Sequence, residues 1–324
     1  MKYLNIINRS NKKLINISKR ILKQERIPFP SKYEFIQTGH VNNILILDNN
    51  LILRFSNDST SITRLDLESK IINSLKNKIP VPNIISVGNI GNVGYQILSH
   101  IKGQTLSKVW DDVTLANKNK IVIQIVEMLR VLHQIKAGDF KFICLPTNKT
   151  NTLQEFNDCE WRDVHLYLNK IKLDRDLIDE SSKYYEKSRQ CLDEENSAHL
   201  IHGDLHFDNI LVHENSVSAV IDFEFSMFGS RDRELYKIEE FVRNPGEYGF
   251  KNNTYINFMI LFKKYYPEIF KTKNLSQKLD LYDFIYTWKA FIYNDKFKNI
   301  SKLENLNTVE KIRNIIEGKI TRIL

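Results

Sequence analysis

Between Tyr33 and Leu98 the chain is written in short apolar runs separated by polar turns. VNNILIL and NLILRF flank the turn sequence Asp48, Asn49, Asn50, and their β-branched and aliphatic residues read as the two strands of a hairpin. The next stretch, TSITRLDLESKIINSLKN, changes period. Ile62, Leu65, Ile71, Ile72 and Leu75 fall near helical spacing, and Pro80 stops the pattern. PVPNIISVG and VGYQILSHI return to strand character, so a small sheet with one inserted helix is expected.

Past Gly103 the character changes. NKIVIQIVEMLRVLHQI places Ile121, Ile125, Leu129 and Leu132 on one helical face, and the aromatic-rich last third reads as several further amphipathic helices. One strand pair, around residues 210 to 222, interrupts them. The expected fold class is α+β, with a small β-rich N-terminal lobe over residues 1–100 and a larger, mostly helical lobe over 101–324. A length of 324 residues supports two such cores.

Composition narrows the function classes. At 42% hydrophobic residues with seven prolines the chain has enough apolar surface to be ordered almost throughout. Its first residues mix Asn, Lys and Arg into the apolar positions, unlike a signal peptide, and no apolar run is long enough to cross a bilayer. A cytoplasmic protein without a membrane partner is expected. Cys144, Cys159 and Cys191 lack close metal-ligand spacing and fit reduced thiols. The formal charge of +8 comes from lysines scattered along the whole chain, which argues against a nucleic-acid partner.

The chemistry concentrates in HLIHGDLHFDNILVHENSVSAVIDFE, residues 199 to 224. ILV and AVI read as two strands joined by the polar turn HENSVS, giving a hairpin from Asn209 to Asp222. Both end residues then lie at its open end, an oxygen-donor pair suited to Mg²⁺. Asp204 lies in the loop leading into the hairpin and could reach the same mouth. There a carboxylate can orient a substrate hydroxyl and accept its proton, and phosphoryl transfer asks for little further covalent chemistry.

HGDLHFDN resembles the catalytic loop of aminoglycoside phosphotransferases and their choline-kinase-like relatives, and VIDFE resembles the metal-binding segment that follows it. The resemblance implies a protein-kinase-like fold. It makes Asp204 the catalytic base, Asn209 and Asp222 the Mg²⁺ ligands, and His202 the histidine that braces the loop. Gly203, where protein kinases have arginine, and Glu224 after Asp222 and Phe223 favour the small-molecule branch. QTGHVNNILIL resembles the nucleotide-covering loop, with Gly39 and Asn43 beside the phosphates. Arg54 stands where the family places a strand cation, usually lysine, that contacts the α and β phosphates, and Glu68 matches its helix partner. ILSHIKGQTL resembles the segment between lobes, whose Ser99, His100 and Ile101 would meet the nucleotide base. FGSRDREL resembles the segment after the metal loop, with Asp232 or Glu234 as a structural acidic residue at the start of a helix.

The same resemblance implies ATP or GTP as donor and a cationic, aminoglycoside-type antibiotic as acceptor, hence a resistance enzyme that is a monomer or weak dimer. A polycationic acceptor needs carboxylates. Candidates are Asp158, Glu160 and Asp163, Glu239 and Glu240, and Asp280 and Asp283, with Trp161 and Trp288 nearby as stacking or core residues. Two alternatives stand beside this reading. One is a metabolic kinase of an amino-alcohol, sugar or ketosamine. The other is a catalytically silent kinase-like or nucleic-acid-binding protein, disfavoured because Asp204, Asn209 and Asp222 are all present.

Overall fold

At the turn between VNNILIL and NLILRF, Asp48 adopts a left-handed backbone conformation (φ 44°) and Leu47 faces Leu51 across it. The computed structural model describes residues 2–36, 43–48, 50–56, 59–135, 153–171, 173–192, 199–248, 255–297 and 302–324. The chain divides into two compact units, Met1–Val109 with Asp208–Glu224, and Trp110–Phe207 with Phe225–Leu324.

The first unit is built on a five-stranded antiparallel sheet of β1 (Tyr33–Ile36), β2 (Asn43–Leu47), β3 (Leu51–Ser56), β4 (Ile84–Ile90) and β5 (Val93–Ser99), in the order β1-β2-β3-β5-β4. Helix α1 (Lys2–Gln24) precedes the sheet, and α2 (Ser59–Leu75) is the expected insertion between β3 and β4. α1 has no counterpart among the sequence expectations. Asn and Lys dilute its apolar positions, yet Ile21 and Leu22 are fully buried against Leu45, Leu53, Phe55, Tyr95 and Ile97. After β6 (Gln104–Thr105) and α3 (Leu106–Val109) the unit resumes with the hairpin β8 (Ile210–His213) and β9 (Ser216–Val220). The sequence grouped this hairpin with the helical lobe. Pairing of β8 with β6, and the bond from Val220 N–H to Pro80 O (2.9 Å), tie it to the first unit. Gly103 lets the strands close up, because a Cβ there would meet Val212 O at 2.9 Å.

The second unit contains α4 (Leu115–Gln134), α5 (Leu153–Leu168), α6 (Arg175–Ser188), β7 (His199–Ile201), β10 (Met227–Gly229), α7 (Asp232–Arg243), α8 (Ile256–Tyr265), α9 (Pro267–Phe270), α10 (Leu275–Phe297) and α11 (Lys302–Ile316). The predicted face of α4, with Ile121, Ile125, Leu129 and Leu132, is buried. α10 is apolar around much of its circumference and packs against α5, α6, α7 and α11, which makes it the central helix of the unit. Trp161 on α5 and Trp288 on α10 are both buried and serve as core residues. One expectation needs correction: β7 and β10 form a second strand pair, with Met227 opposite Ile201. Three-residue strands are too short to show an alternating pattern. No helix among the described residues is long and apolar enough to cross a membrane.

A buried ionic network joins α7 and α10 to α11 and the segment after it. Arg322 donates to Asp280 Oδ1 and Glu239 Oε2, both at 2.8 Å, and to Asp283 Oδ2 at 3.1 Å. Arg243 bonds the same Glu239 and Asp283, and Lys311 approaches Asp283 (3.3 Å) and Glu240 (3.6 Å). The Arg322 side chain is only 3% exposed, so Arg322→Ala removes a buried partner rather than a surface ion pair. The expected cost is about 3 kcal/mol, read as a lower urea midpoint. Burial alone would raise the pKa of Asp283, but Lys311, Arg322 and Arg243 bring it below the ordinary carboxylate value. Its contribution to stability is therefore full above that value and disappears as the pH falls through the lowered one. The wild-type urea midpoint should drop once the pH goes below about 4.

Candidate active site

The side chains of Arg54 and Gln96, paired across β3 and β5, both turn toward α2. Gln96 Nε2 donates to Leu65 O (3.0 Å) and Ser69 Oγ (2.7 Å). Arg54 Nη1 donates to both oxygens of Glu68, at 2.8 and 2.9 Å, so the strand cation and helix acid that the sequence singled out form a buried, closely bonded pair. Arg54 Nη2 reaches Asp222 Oδ1 at 3.2 Å and lies 3.7 Å from Glu224 Oε2. Burial would lower the pKa of this guanidinium, but Glu68, Asp222 and Glu224 raise it and keep it charged. Its Nε has no hydrogen-bond acceptor among the described residues.

The hairpin delivers Asp222 to this cluster. Its turn is Glu214–Asn215, both with positive φ (48° and 58°), so it is a two-residue turn rather than the six-residue HENSVS expected. The polar residues His213 and Ser216 pair with each other as strand residues, which polarity alone did not reveal. At the open end, Ile221 N–H donates to Asn209 O (3.0 Å), so Asn209 and Asp222 flank the same mouth. Asp222 has a left-handed backbone (φ 67°), unusual for a residue with a side chain, and its carboxylate is 41% exposed. The chain then turns so that Phe223 N–H donates to Glu68 Oε1 (3.1 Å), while Arg64 Nη1 bonds Glu224 Oε1 (3.0 Å).

The remaining nucleotide candidates sit apart from this cluster in the bonding pattern. Asn43 Nδ2 donates across the sheet to Phe55 O (3.3 Å). Gly39 lies outside the described residues. Ser99 N–H donates to Asn83 O (2.9 Å), its hydroxyl accepts from Asn83 N–H (2.8 Å), and His100 N–H donates to Asn50 O (3.0 Å). Two backbone donors of this segment are therefore used within the chain. Ile101 follows β5 outside any helix or strand.

Asp204 belongs to the second unit, on a loop pinned from several sides. His202 N–H donates to Glu234 Oε2 (2.7 Å) and Asp204 N–H to His202 Nδ1 (3.3 Å), so His202 does brace the loop. Ser226 Oγ donates to His202 O (3.2 Å), and Tyr286 O–H donates to Gly203 O (3.1 Å). The Asp204 carboxylate has Lys237 Nζ 3.5 Å from Oδ1 and His206 Nε2 3.7 Å from Oδ2. Burial raises its pKa, but His206, Lys237 and His202 outweigh that and keep it below the ordinary carboxylate value. Sequence reasoning did not single out Lys237, His206 or Tyr286. His206 was visible inside HGDLHFDN, and Lys237 follows Glu234 by three residues, one helical turn.

The carboxylates considered for a cationic acceptor are mostly engaged already. Asp158 accepts from Tyr185 O–H (2.7 Å) and from Arg189 Nε (2.9 Å). Glu160 accepts from Arg233 Nη2 (2.6 Å) and Lys289 Nζ (2.8 Å). Glu239, Glu240, Asp280 and Asp283 make up the ionic network of Arg243, Lys311 and Arg322. Asp163 is exposed.

Residues 32–244 match the model of a family described as "Phosphotransferase enzyme family". No curated protein sequence matches the chain. Among solved structures, the GDP and kanamycin complex of APH(2'')-IIia is similar with a TM-score of 0.71 and 17% identity, covering 94% of this chain and 100% of that one. The GDP complex of wild-type aminoglycoside 2'-phosphotransferase-IIIa gives 0.70 and 15%, covering 94% and 99%. A thermostable mutant of aminoglycoside phosphotransferase APH(4)-Ia, in ternary complex with ADP and hygromycin B, gives 0.66 and 15%, covering 94% and 98%. The fold is thus α+β and protein-kinase-like, as expected.

Proposed function

We infer that this chain, which belongs to the phosphotransferase enzyme family, moves the γ-phosphate of ATP or GTP to a hydroxyl of a small molecule. The observation that carries the reading is the buried Arg54, which bonds Glu68 through one nitrogen and Asp222 through the other. Kinase-type phosphoryl transfer requires a strand cation tied to a helix glutamate beside a metal-binding aspartate. We assign residues 1–100 to the nucleotide and the helical lobe to the acceptor, with Gly39, Asn43 and Ser99–Ile101 on the nucleotide side.

The donor set at the hairpin mouth fits Mg²⁺. It offers one carboxylate, half-exposed and with a single oxygen bonded to Arg54, and one amide-bearing side chain. Hard oxygen ligands in small number suit an ion that keeps waters and is held largely through phosphates. Asp222 and Asn209 would hold it, and bound there it would neutralise charge on the phosphates. Asp222→Asn should weaken Mg-nucleotide binding by about tenfold or more, the loss of one charge-assisted contact. Calorimetric titration of nucleotide in Mg²⁺ checks this.

The leading acceptor is an aminoglycoside-type antibiotic. Support comes from the solved structures of similar fold, which include complexes of kanamycin with GDP and of hygromycin B with ADP. One observation favours a second reading, a metabolic kinase of an amino-alcohol, sugar or ketosamine: six of the seven candidate carboxylates are bonded to the chain's own cations. ADP or GDP release with kanamycin, gentamicin, hygromycin B, choline, homoserine and a hexose separates the two. Turnover restricted to the last three compounds would remove the antibiotic reading.

A further inference from the structure

One face of α7 shapes the loop that carries Asp204. Glu234 takes the His202 N–H, Lys237 sits one turn on beside Asp204, and Phe241 one turn further stacks on the His206 ring, with centroids 6.0 Å apart and planes 5° from parallel. Residues at i, i+3 and i+7 of a helix share a face, so three successive contacts with the loop come from a single rigid element. Lys237 is itself held. Its Nζ lies 5.4 Å from the ring centre of Tyr286 and 5.7 Å from that of Tyr236, and Tyr286 bonds the Gly203 carbonyl next to Asp204.

We propose that Lys237 is a positioning residue for phosphoryl transfer, clamping one oxygen of Asp204 from α7 while His206 holds the other, so that the carboxylate meets the acceptor hydroxyl in one orientation. This rests on Asp204 being the base. In the step, the acceptor O–H bond breaks and its proton passes to Asp204. The acceptor oxygen bonds to the γ-phosphorus, and the bond from that phosphorus to the bridging oxygen breaks, releasing the nucleoside diphosphate. The groups around the carboxylate are His202 and His206 from its own loop, Lys237 from α7, and Tyr286 from α10, with Glu240 on α7 acting on Lys237. A clamp that is four-fifths buried and stacked on aromatic rings restricts the carboxylate in a way that an exposed lysine cannot.

The test compares Lys237→Met and Lys237→Arg in the full chain. The first measurement is the ¹³C titration of the Asp204 carboxyl, its resonance identified by loss in Asp204→Asn. Its midpoint should rise by on the order of one unit in K237M and stay near wild type in K237R. The second is turnover of kanamycin with MgATP. K237M should lose about tenfold in kcat, with KM for ATP unchanged and the acid limb of kcat/KM shifted upward, and K237R should recover most of it. K237Q carries the same expectations as K237M if K237M does not fold. A midpoint unchanged in the neutral variant overturns the clamp. Absence of kanamycin turnover in the wild type counts against the antibiotic reading alone, because the carboxyl titration still decides the role of Lys237.

Discussion

Asp204→Asn is expected to reduce turnover by about 10³-fold while leaving nucleotide affinity unchanged. The amide keeps the size of the side chain and can still accept from neighbours, but it cannot take up the acceptor proton. The native carboxylate is ionised at neutral pH because His206, Lys237 and His202 outweigh the effect of burial. Its pKa, held below the ordinary carboxylate range, also places the acid limb of activity at low pH. Wild-type kcat/KM should stay flat down to about pH 4 on the side governed by this group. Nucleotide binding is assigned to Arg54, Glu68, Asn209 and Asp222, none of which the substitution alters. Single-turnover kinetics beside calorimetric nucleotide titration separates the two effects. Near-full turnover in Asp204→Asn would remove the base assignment.

Gly203→Ala should lower both stability and kcat. The residue has φ 79°, and an added Cβ would stand 2.3 Å from Phe225 O, a contact that backbone must move to relieve. The left-handed conformation alone costs a residue with a side chain about 1–2 kcal/mol. The clash adds to it, and the loop cannot shift freely because Tyr286, Glu234 and Ser226 bond it at Gly203 and the residue before. The total is expected near about 3 kcal/mol. Asp204 is the next residue, so displacement of even about 1 Å should cost about 10²-fold in kcat. Gly318→Ala is the control, since Gly318 has φ 68° but none of the described residues within 4 Å of the added atom. It should show the conformational cost alone and keep wild-type kcat. Equal thermal shifts in the two variants would mean that the contact with Phe225 is not a constraint.

Arg54 shows how far a sequence reading reaches and where it needs the fold. Its pairing with Glu68 was legible only through the family resemblance, which matches the two residues to a strand cation and its helix partner; they lie fourteen residues apart. Its bond to Asp222 spans 168 residues and depends on where the hairpin packs. Lys237 was invisible as a neighbour of Asp204 for the same reason, since helical period says which residues share a face but not what that face meets. The acidic clusters were legible as charge, but their ion pairs within the chain were not. Asp283 looks free in KLDLYDF, and only the fold brings Arg243, Lys311 and Arg322 to it.

The amino-acid sequence by itself determined the small sheet with its inserted helix, the amphipathic helices and the order of Asp204, Asn209 and Asp222, because each follows from local period, turn chemistry or close spacing. Tertiary structure alone decided which cations neutralise which carboxylates, how the loop before the hairpin is braced, and that α1 completes the core of the first unit. Those contacts join residues far apart in the chain, and their energy exists only once packing has excluded water from both partners.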